Sequence, residues 1–249
     1  MNRRLGWLAA CVVVAGVGSA ATADEPLDVV KKAIKANGGK EALEKYQAAT
    51  LKGAGTVSVN GMELKYNATW YYGFPANYRV ELETDINGTA VKIVQVANGK
   101  QGWQKVGDTE TMDLPKHEFE NVKAMIAAQM VGSLVPLLDT KKYTVGPLGD
   151  VKVNGKKAIG LNVTNKSGVD VNLYFDPKTL MLVKQQYQSK DPTGKEVTQS
   201  LYLNGFKKIN GVPMPMKILI HHDDKKFVTA EFSAIKLSKS LDAGLFKKP

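Results

Sequence analysis

Apolar and polar residues alternate most clearly over Gly61–Val80. From Met62 to Tyr72 every second residue is apolar or aromatic: Met62, Leu64, Tyr66, Ala68, Trp70 and Tyr72. Glu63, Lys65, Asn67, Thr69 and Tyr71 stand between them. A period of two over this length predicts a long β-strand with one wet face and one apolar face. After Gly73-Phe74-Pro75 the pattern resumes, with Tyr78, Val80 and Leu82 against Arg79, Glu81 and Glu83. Proline cannot donate to a ladder, so Pro75 marks a corner between two strands.

The same rhythm recurs to the end of the chain. It is clean in Ile159/Leu161/Val163, in Val169/Val171/Leu173/Phe175 and in Val197/Gln199/Leu201/Leu203. Over Val91–Val96 it blurs, as in a strand covered on both faces. Asn-Gly pairs punctuate it at 60–61, 87–88, 98–99, 154–155, 204–205 and 210–211, and this pair is the strongest short hairpin signal. About ten to eleven antiparallel strands are predicted, with no βαβ rhythm. Two helical stretches break the pattern. Asp24-Glu25-Pro26 opens one that carries Leu27, Val30 and Ile34, halts at Asn37-Gly38-Gly39 and resumes briefly through Leu43 and Tyr46. The other runs from Leu114-Pro115 to Leu138, with Phe119, Val122, Met125, Ile126, Met130, Leu134 and Leu137 at steps of three and four and a break near Gly132-Ser133. A helical excursion in the middle of a meander covers the sheet, and its methionines suit an adaptable apolar contact.

The first 23 residues add a compartment. Met1-Asn2-Arg3-Arg4 is a charged start, Leu5–Gly18 is apolar, and Ala21-Thr22-Ala23 is a small-residue cleavage site. The apolar run is too short to span a bilayer, which takes roughly 20 residues. An exported chain cleaved after Ala23 is expected, with residues 24–249 as one domain. Leu8-Ala9-Ala10-Cys11 matches a lipobox, but few apolar residues precede Cys11 and the run continues past it; Arg3-Arg4 reads as a plain charged start. Cys11 is the only cysteine, so the mature chain has neither disulfide nor thiolate chemistry. Its charge falls from +10 to +8 when Arg3 and Arg4 leave, and Arg79 is its one arginine. Nucleic-acid recognition favours the planar guanidinium, so it is set aside; dispersed lysines suit a solvated surface, an acidic partner or passing contact with an anionic membrane.

Catalytic chemistry finds little support. Ser233-Ala234-Ile235-Lys236 fits S-x-x-K but lies in an alternating stretch, Phe227–Leu237, without the motif's companions. His221 and His222 are strand neighbours that point to opposite faces, so the pair does not share a metal; His117, at a helix start, reads as a solvated residue. No cofactor motif is present. What remains is an apolar concavity: Leu64, Tyr66, Trp70, Tyr72, Val80, Leu82, Leu173 and Phe175 as its lining, with Phe119, Met125, Ile126, Met130 and Leu134 as a lid. That describes a lipid site, and a packed barrel core fits the same residues.

Several strings carry a resemblance. Trp70-Tyr71-Tyr72-Gly73-Phe74-Pro75-Ala76-Asn77-Tyr78-Arg79 resembles the strand–Pro–strand corner of LolA/LolB-like periplasmic lipoprotein carriers. Ala97-Asn98-Gly99-Lys100-Gln101-Gly102-Trp103 resembles their Gly-to-Trp hairpin, and Val153-Asn154-Gly155 and Leu173-Tyr174-Phe175-Asp176-Pro177-Lys178-Thr179 their later strands. The tail Leu241–Pro249, with Leu245-Phe246, is similar to their closing segment. The resemblance implies a half-closed antiparallel barrel of about eleven strands, a helical lid over a hydrophobic cavity, and a periplasmic carrier of lipoprotein acyl chains. An inner-membrane transporter and an outer-membrane acceptor would be its partners. The best-known carriers place an arginine before the corner proline to hold the lid, and Phe74 stands there here. A sensor of mislocalised lipid and a structural envelope protein are two other classes compatible with the same fold.

Overall fold

A computed structural model describes residues 25–59, 61–165 and 168–249. The expected export signal, with Cys11 and Ala23, lies outside the described residues, as does Asn60. The described chain opens with α1 (Pro26–Ala36), whose first position takes a proline because no N–H is needed there, and α2 (Lys40–Lys45). Six strands follow: β1 (Ala48–Val59), β2 (Met62–Gly73), β3 (Asn77–Ile86), β4 (Thr89–Asn98), β5 (Gly102–Val106) and β6 (Met112–Asp113). Next come α3 (Lys116–Gly132) and a 3-10 turn, Val135–Leu138, divided at the expected Gly132-Ser133 break. The second set is β7 (Tyr143–Val153), β8 (Lys156–Asn165), β9 (Val171–Phe175), β10 (Leu182–Lys190), β11 (Glu196–Asn204), β12 (Lys207–Ile209), β13 (Val212–Met214), β14 (Lys217–His222) and β15 (Lys225–Ser238), then a 3-10 turn, Ala243–Phe246. The described residues thus hold fifteen strands, not eleven. Much of the excess is β6, β12 and β13, of two or three residues each, too short to display a period.

Thirteen strands form one antiparallel sheet in the order β6-β5-β4-β3-β2-β1-β15-β14-β11-β10-β9-β8-β7. The first and last long strands therefore meet in its middle. The sheet curls without closing, and α3 carries the chain from one edge strand, β6, across the inner face to the other, β7. That route explains why the single mid-chain helix covers the concavity. Three of the Asn-Gly pairs, at 87–88, 154–155 and 210–211, turn with both residues at positive φ, the geometry that matches strand twist.

Curvature is set where β1 meets β15. A bulge shifts the register between Lys52 and Gly53, which bends the strand. At Gly55 a Cβ would lie 1.8 Å from the Thr229 carbonyl oxygen and 2.9 Å from the Tyr66 hydroxyl. Glycine lets the backbones close up and lets Tyr66 cross above them, donating its hydroxyl to the Thr229 carbonyl at 2.8 Å.

The blurred alternation of Val91–Val96 has a cause in the C-terminal segment. Phe246, with Leu241 and Leu245, packs on Val94, Val96 and Trp103 from outside, while Ala97 faces the inner core. Arg79 anchors this tail: Nη1 donates to the Leu245 carbonyl at 3.1 Å and Nε to Glu81 at 2.9 Å. Burial works against the charge of Glu81, but hydrogen bonds from Arg79 and Lys92 outweigh it and hold its carboxyl below the usual value. Arg79→Ala is expected to cost about 2 kcal/mol, because charged hydrogen bonds in a partly buried site are lost together. Urea denaturation gives the cost, and trypsin should release the tail from the variant well before it attacks the sheet.

Inside the curl are two packed bodies. Against β8–β10, the residues Val30, Leu137, Leu161, Val163, Leu173 and Phe175 are fully buried under α1 and the 3-10 turn. Against β1–β5, the first turns of α3 place Phe119, Val122, Met125 and Ile126 on Tyr66, Ala68, Tyr78 and Val80. The start of α3 is also tied to β10: Asn121 donates to the Lys190 carbonyl at 2.7 Å and accepts from its N–H at 2.9 Å, and Glu120 pairs with Lys190 at 2.9 Å. His117, expected to be solvated, instead has its Nε2 buried without a hydrogen-bond partner, with its ring beside Gly194. The β10–β11 turn, distant in sequence, covers it.

Candidate functional site

Between the two packed bodies an apolar cavity of about 290 Å³ remains. Its floor is the middle of the sheet: Ala49 and Leu51 of β1, Tyr72 of β2, Leu201 and Leu203 of β11, Ile218 of β14 and Phe232 of β15. Inward parity follows from register, since Ala49 stands opposite Tyr72 and Leu51 opposite Trp70. The roof is the end of α3, from Gln129 through Gly132 and Ser133 to Leu134. Leu43 and Tyr46, at α2, close one side.

The remaining wall is a hairpin outside the main sheet. Asn204 of β11 pairs directly with Lys217 of β14, so residues 205–216 leave the sheet and return at the same level. They fold into β12 and β13, which pair only with each other. Phe206, Val212, Pro213, Met214 and Pro215 face the cavity from this excursion. Its base is fastened by the Met216 N–H to the Asn204 carbonyl at 3.1 Å and the Phe232 N–H to the Met216 carbonyl at 2.8 Å. Beyond that base, β12 and β13 hydrogen-bond as a ladder of three residue pairs.

Gly132 has a specific role in the roof. A Cβ there would fall 1.9 Å from Gln185 Nε2. The missing side chain lets Gln185 reach across from β10 and donate to the Ala128 carbonyl at 3.2 Å, tying roof to floor inside the apolar core. Phenols also line this interior. Burial raises the Tyr72 pKa, partly offset by its hydrogen bond with Gln129, and burial lifts Tyr66, Tyr78 and Tyr187 well above the ordinary 10.0. The sign gives a prediction. Below pH 10 these phenols are neutral in both folded and unfolded chain, so they add no pH dependence. Above it the unfolded chain releases protons that the folded one retains, so stability falls as pH rises. A steep loss of Tm is expected between about pH 10 and 11, with the tyrosinate absorbance of these four phenols appearing only as the fold opens. A flat Tm with free titration of every phenol would contradict their burial.

The residues singled out from the sequence separate here. Tyr72 and Leu134 line the open cavity. Tyr66, Val80 and Leu82 meet Phe119, Met125 and Ile126 in the filled body over β1–β5, where Trp70 also packs, edge-on against Phe232. Leu173 and Phe175 have no exposed surface and belong to the body over β8–β10. Leu64 is half-buried opposite Val57, and Met130 faces a groove beside Lys40, Leu43 and Glu44. Sequence reasoning passed over Ala49, Leu51 and the 205–216 excursion. Two Asn-Gly pairs only six residues apart, followed by Val212-Pro213-Met214-Pro215-Met216, were the available signal. His221 packs on Tyr202, while His222 stacks on Phe227 and hydrogen-bonds Gln199 at 3.0 Å. The two imidazoles thus take separate surroundings.

A larger depression of about 880 Å³ lies near Gly55, but Lys65, Lys217, Glu83, Asp85 and Glu231 line it. That depression is more open and carries charges of both signs, so the smaller, more enclosed cavity is the better candidate for a hydrocarbon.

No protein-family model matches the chain, and no curated protein does. Solved structures do. A DUF1329 family protein from Desulfovibrio piger aligns over 90% of this chain and 98% of its own, with 14% identity and a TM-score of 0.55. A putative outer membrane lipoprotein-sorting protein domain from Vibrio parahaemolyticus aligns over 90% and 96%, with 11% identity and a TM-score of 0.53. A LolA superfamily protein from Nitrosomonas europaea aligns over 91% and 99%, with 14% identity and a TM-score of 0.54. Neighbours this distant share a backbone architecture, and the half-closed sheet with a helix across its inner face is that architecture: the chain has a LolA-like fold.

Proposed function

We propose that the protein is a non-enzymatic periplasmic carrier that holds the acyl chain of a lipoprotein or lipid on its way to the outer membrane. The supporting observation is the apolar cavity between the sheet and the end of α3, walled by a hairpin that does not belong to the sheet. A lipoprotein-sorting protein among the fold neighbours points the same way. An inner-membrane donor and an outer-membrane acceptor would be the partners, with only passing membrane contact. Carriage requires binding that is strong yet reversible. Each buried methylene is worth about 0.8 kcal/mol, so a chain of ~16 carbons represents on the order of 12 kcal/mol. At about 290 Å³ the cavity sits near the lower end of ligand-pocket volumes, roughly 300–1,000 Å³. It would take part of such a chain as it stands and more if the 205–216 hairpin lifts. Limited burial of this kind suits cargo that must leave again.

Mass spectrometry of an organic extract tests the reading, on protein purified from its native envelope without detergent. Near-stoichiometric acyl lipid or lipopeptide is the expected result. An empty extract, with no uptake of added fatty chains, would move the protein to the structural class.

A further inference from the structure

We infer that the acyl chain occupies two compartments, the apolar cavity and a groove beside it, with Leu134 as the gate between them. This inference rests on the carrier reading and places the part of the chain that the cavity does not hold. The groove, of about 460 Å³, lies among α2, the end of α3 and the 3-10 turn Val135–Leu138. Leu43, Met130, Val135, Pro136 and Leu138 are its apolar, half-buried walls, while Lys40, Glu44 and Gln47 at its margin are exposed. That gradient suits an amphiphile, with hydrocarbon inside and the polar end at the margin. Leu43 and Ser133 line both spaces. Leu134 lines only the cavity and its neighbour Val135 only the groove, so the backbone at 133–135 is the partition.

The partition is strained. Leu134 has φ 70° and ψ −39°, and the Val135 N–H donates to the Ser133 carbonyl at 2.9 Å. A hydrogen bond closed around one residue of positive φ is the γ-turn that proteins rarely adopt. Glycine takes such a backbone readily and a residue with a Cβ does not. Leu134 is nevertheless only 2% exposed, in the same packed body as Val131 and Leu137. A conformation that costs free energy persists where its surroundings hold it, and clamps and switches are where proteins keep such strain. Here the burial of the leucine holds the turn. A hydrocarbon chain that pushes Leu134 aside takes over that buried surface, releases the turn and joins the cavity to the groove. The joint lies between two elements and inside neither, since α3 ends at Gly132 and the 3-10 turn begins at Val135. The closed form is the one the structure shows, so opening costs free energy, and only a chain long enough to gain the groove repays it.

Displacement of a bound apolar fluorescent dye, N-phenyl-1-naphthylamine, by hexadecanoic and by octanoic acid tests this through the ratio of the two affinities. Met130 lines the groove and not the cavity. Met130→Trp should therefore lower the long-to-short ratio by about tenfold or more, the loss of roughly two buried methylenes. Leu134→Gly leaves a gap through which a chain passes without moving the joint, and should raise the ratio several-fold. General loosening of the fold does not move one ratio in opposite directions. Leu134→Gly should also melt above Leu134→Ala, the reverse of the usual order, because only glycine relieves the turn. A wild-type ratio in either variant, or alanine melting above glycine, overturns the gate and leaves the carrier reading intact. Should a variant not fold, the wild type decides, with a hexadecanoic acid that carries a diazirine near its carboxyl. Photochemical capture at Met130, Val135 or Leu138 is expected. Capture at Met214 or Pro215 instead would show the chain leaving past the hairpin, which overturns the proposal. Failure of the wild type to take up the dye or either acid removes the carrier reading itself.

Discussion

Ala49→Trp is expected to abolish chain binding while leaving the fold in place. Ala49 lies on the cavity floor, paired with Tyr72 on one side and Leu237 on the other, and its methyl faces the space under α3. An indole built from this position enters the cavity and does not have to force strands apart. It would displace several methylenes of any ligand. Losing four at about 0.8 kcal/mol each is about 3 kcal/mol, or at least a hundredfold in affinity. The cost to stability should be small, since the new ring buries apolar surface in space already present. Dye binding and far-ultraviolet circular dichroism, measured on the same sample, read the two effects separately. A folded variant that binds chains as well as the wild type would place the ligand elsewhere. The filled body under Trp70 and Val80 would then be the next region to open.

The second large effect belongs to the sheet. Gly55→Val is expected to destabilise the protein by about 4 kcal/mol, the range reached when a substitution meets an obstacle that cannot relax. The obstacle is backbone: a Cβ at this position would sit 1.8 Å from the Thr229 carbonyl oxygen. No rotamer relieves that contact. Either β1 and β15 separate, losing the pairing that joins the two halves of the sheet, or Tyr66 is expelled from its bond to Thr229. Gly146→Ala is the matched control. It too is a strand glycine, on β7, but nothing lies within 4 Å of the position its Cβ would take, so it should unfold near the wild-type urea concentration. Equal midpoints for the two variants would mean that the close approach of β1 and β15 is not needed for stability.

Much of the architecture was legible in local pattern. Side chains alternate across a strand by geometry, so Tyr66, Ala68, Trp70 and Tyr72 declared a shared face before any partner was known. The turn at 73–76, the division of the mid-chain helix at Gly132-Ser133 and the conformations of three Asn-Gly pairs depend on neighbours in sequence, and they stand where local chemistry put them. Periodicity named the inward residues, but it carried no information on what would cover each of them. That depends on pairings such as Gly55 with Ala230, far apart along the chain, and on the path of α3 between opposite sheet edges. Tertiary packing therefore decided that Leu173 and Phe175 are sealed core and that Val80 and Leu82 lie beneath α3. It also left the open space one step away, at Ala49, Leu51 and Leu203. The physical reason is that a cavity is a shortfall of covering atoms, set by several distant segments at once, whereas a strand face is written in every second residue.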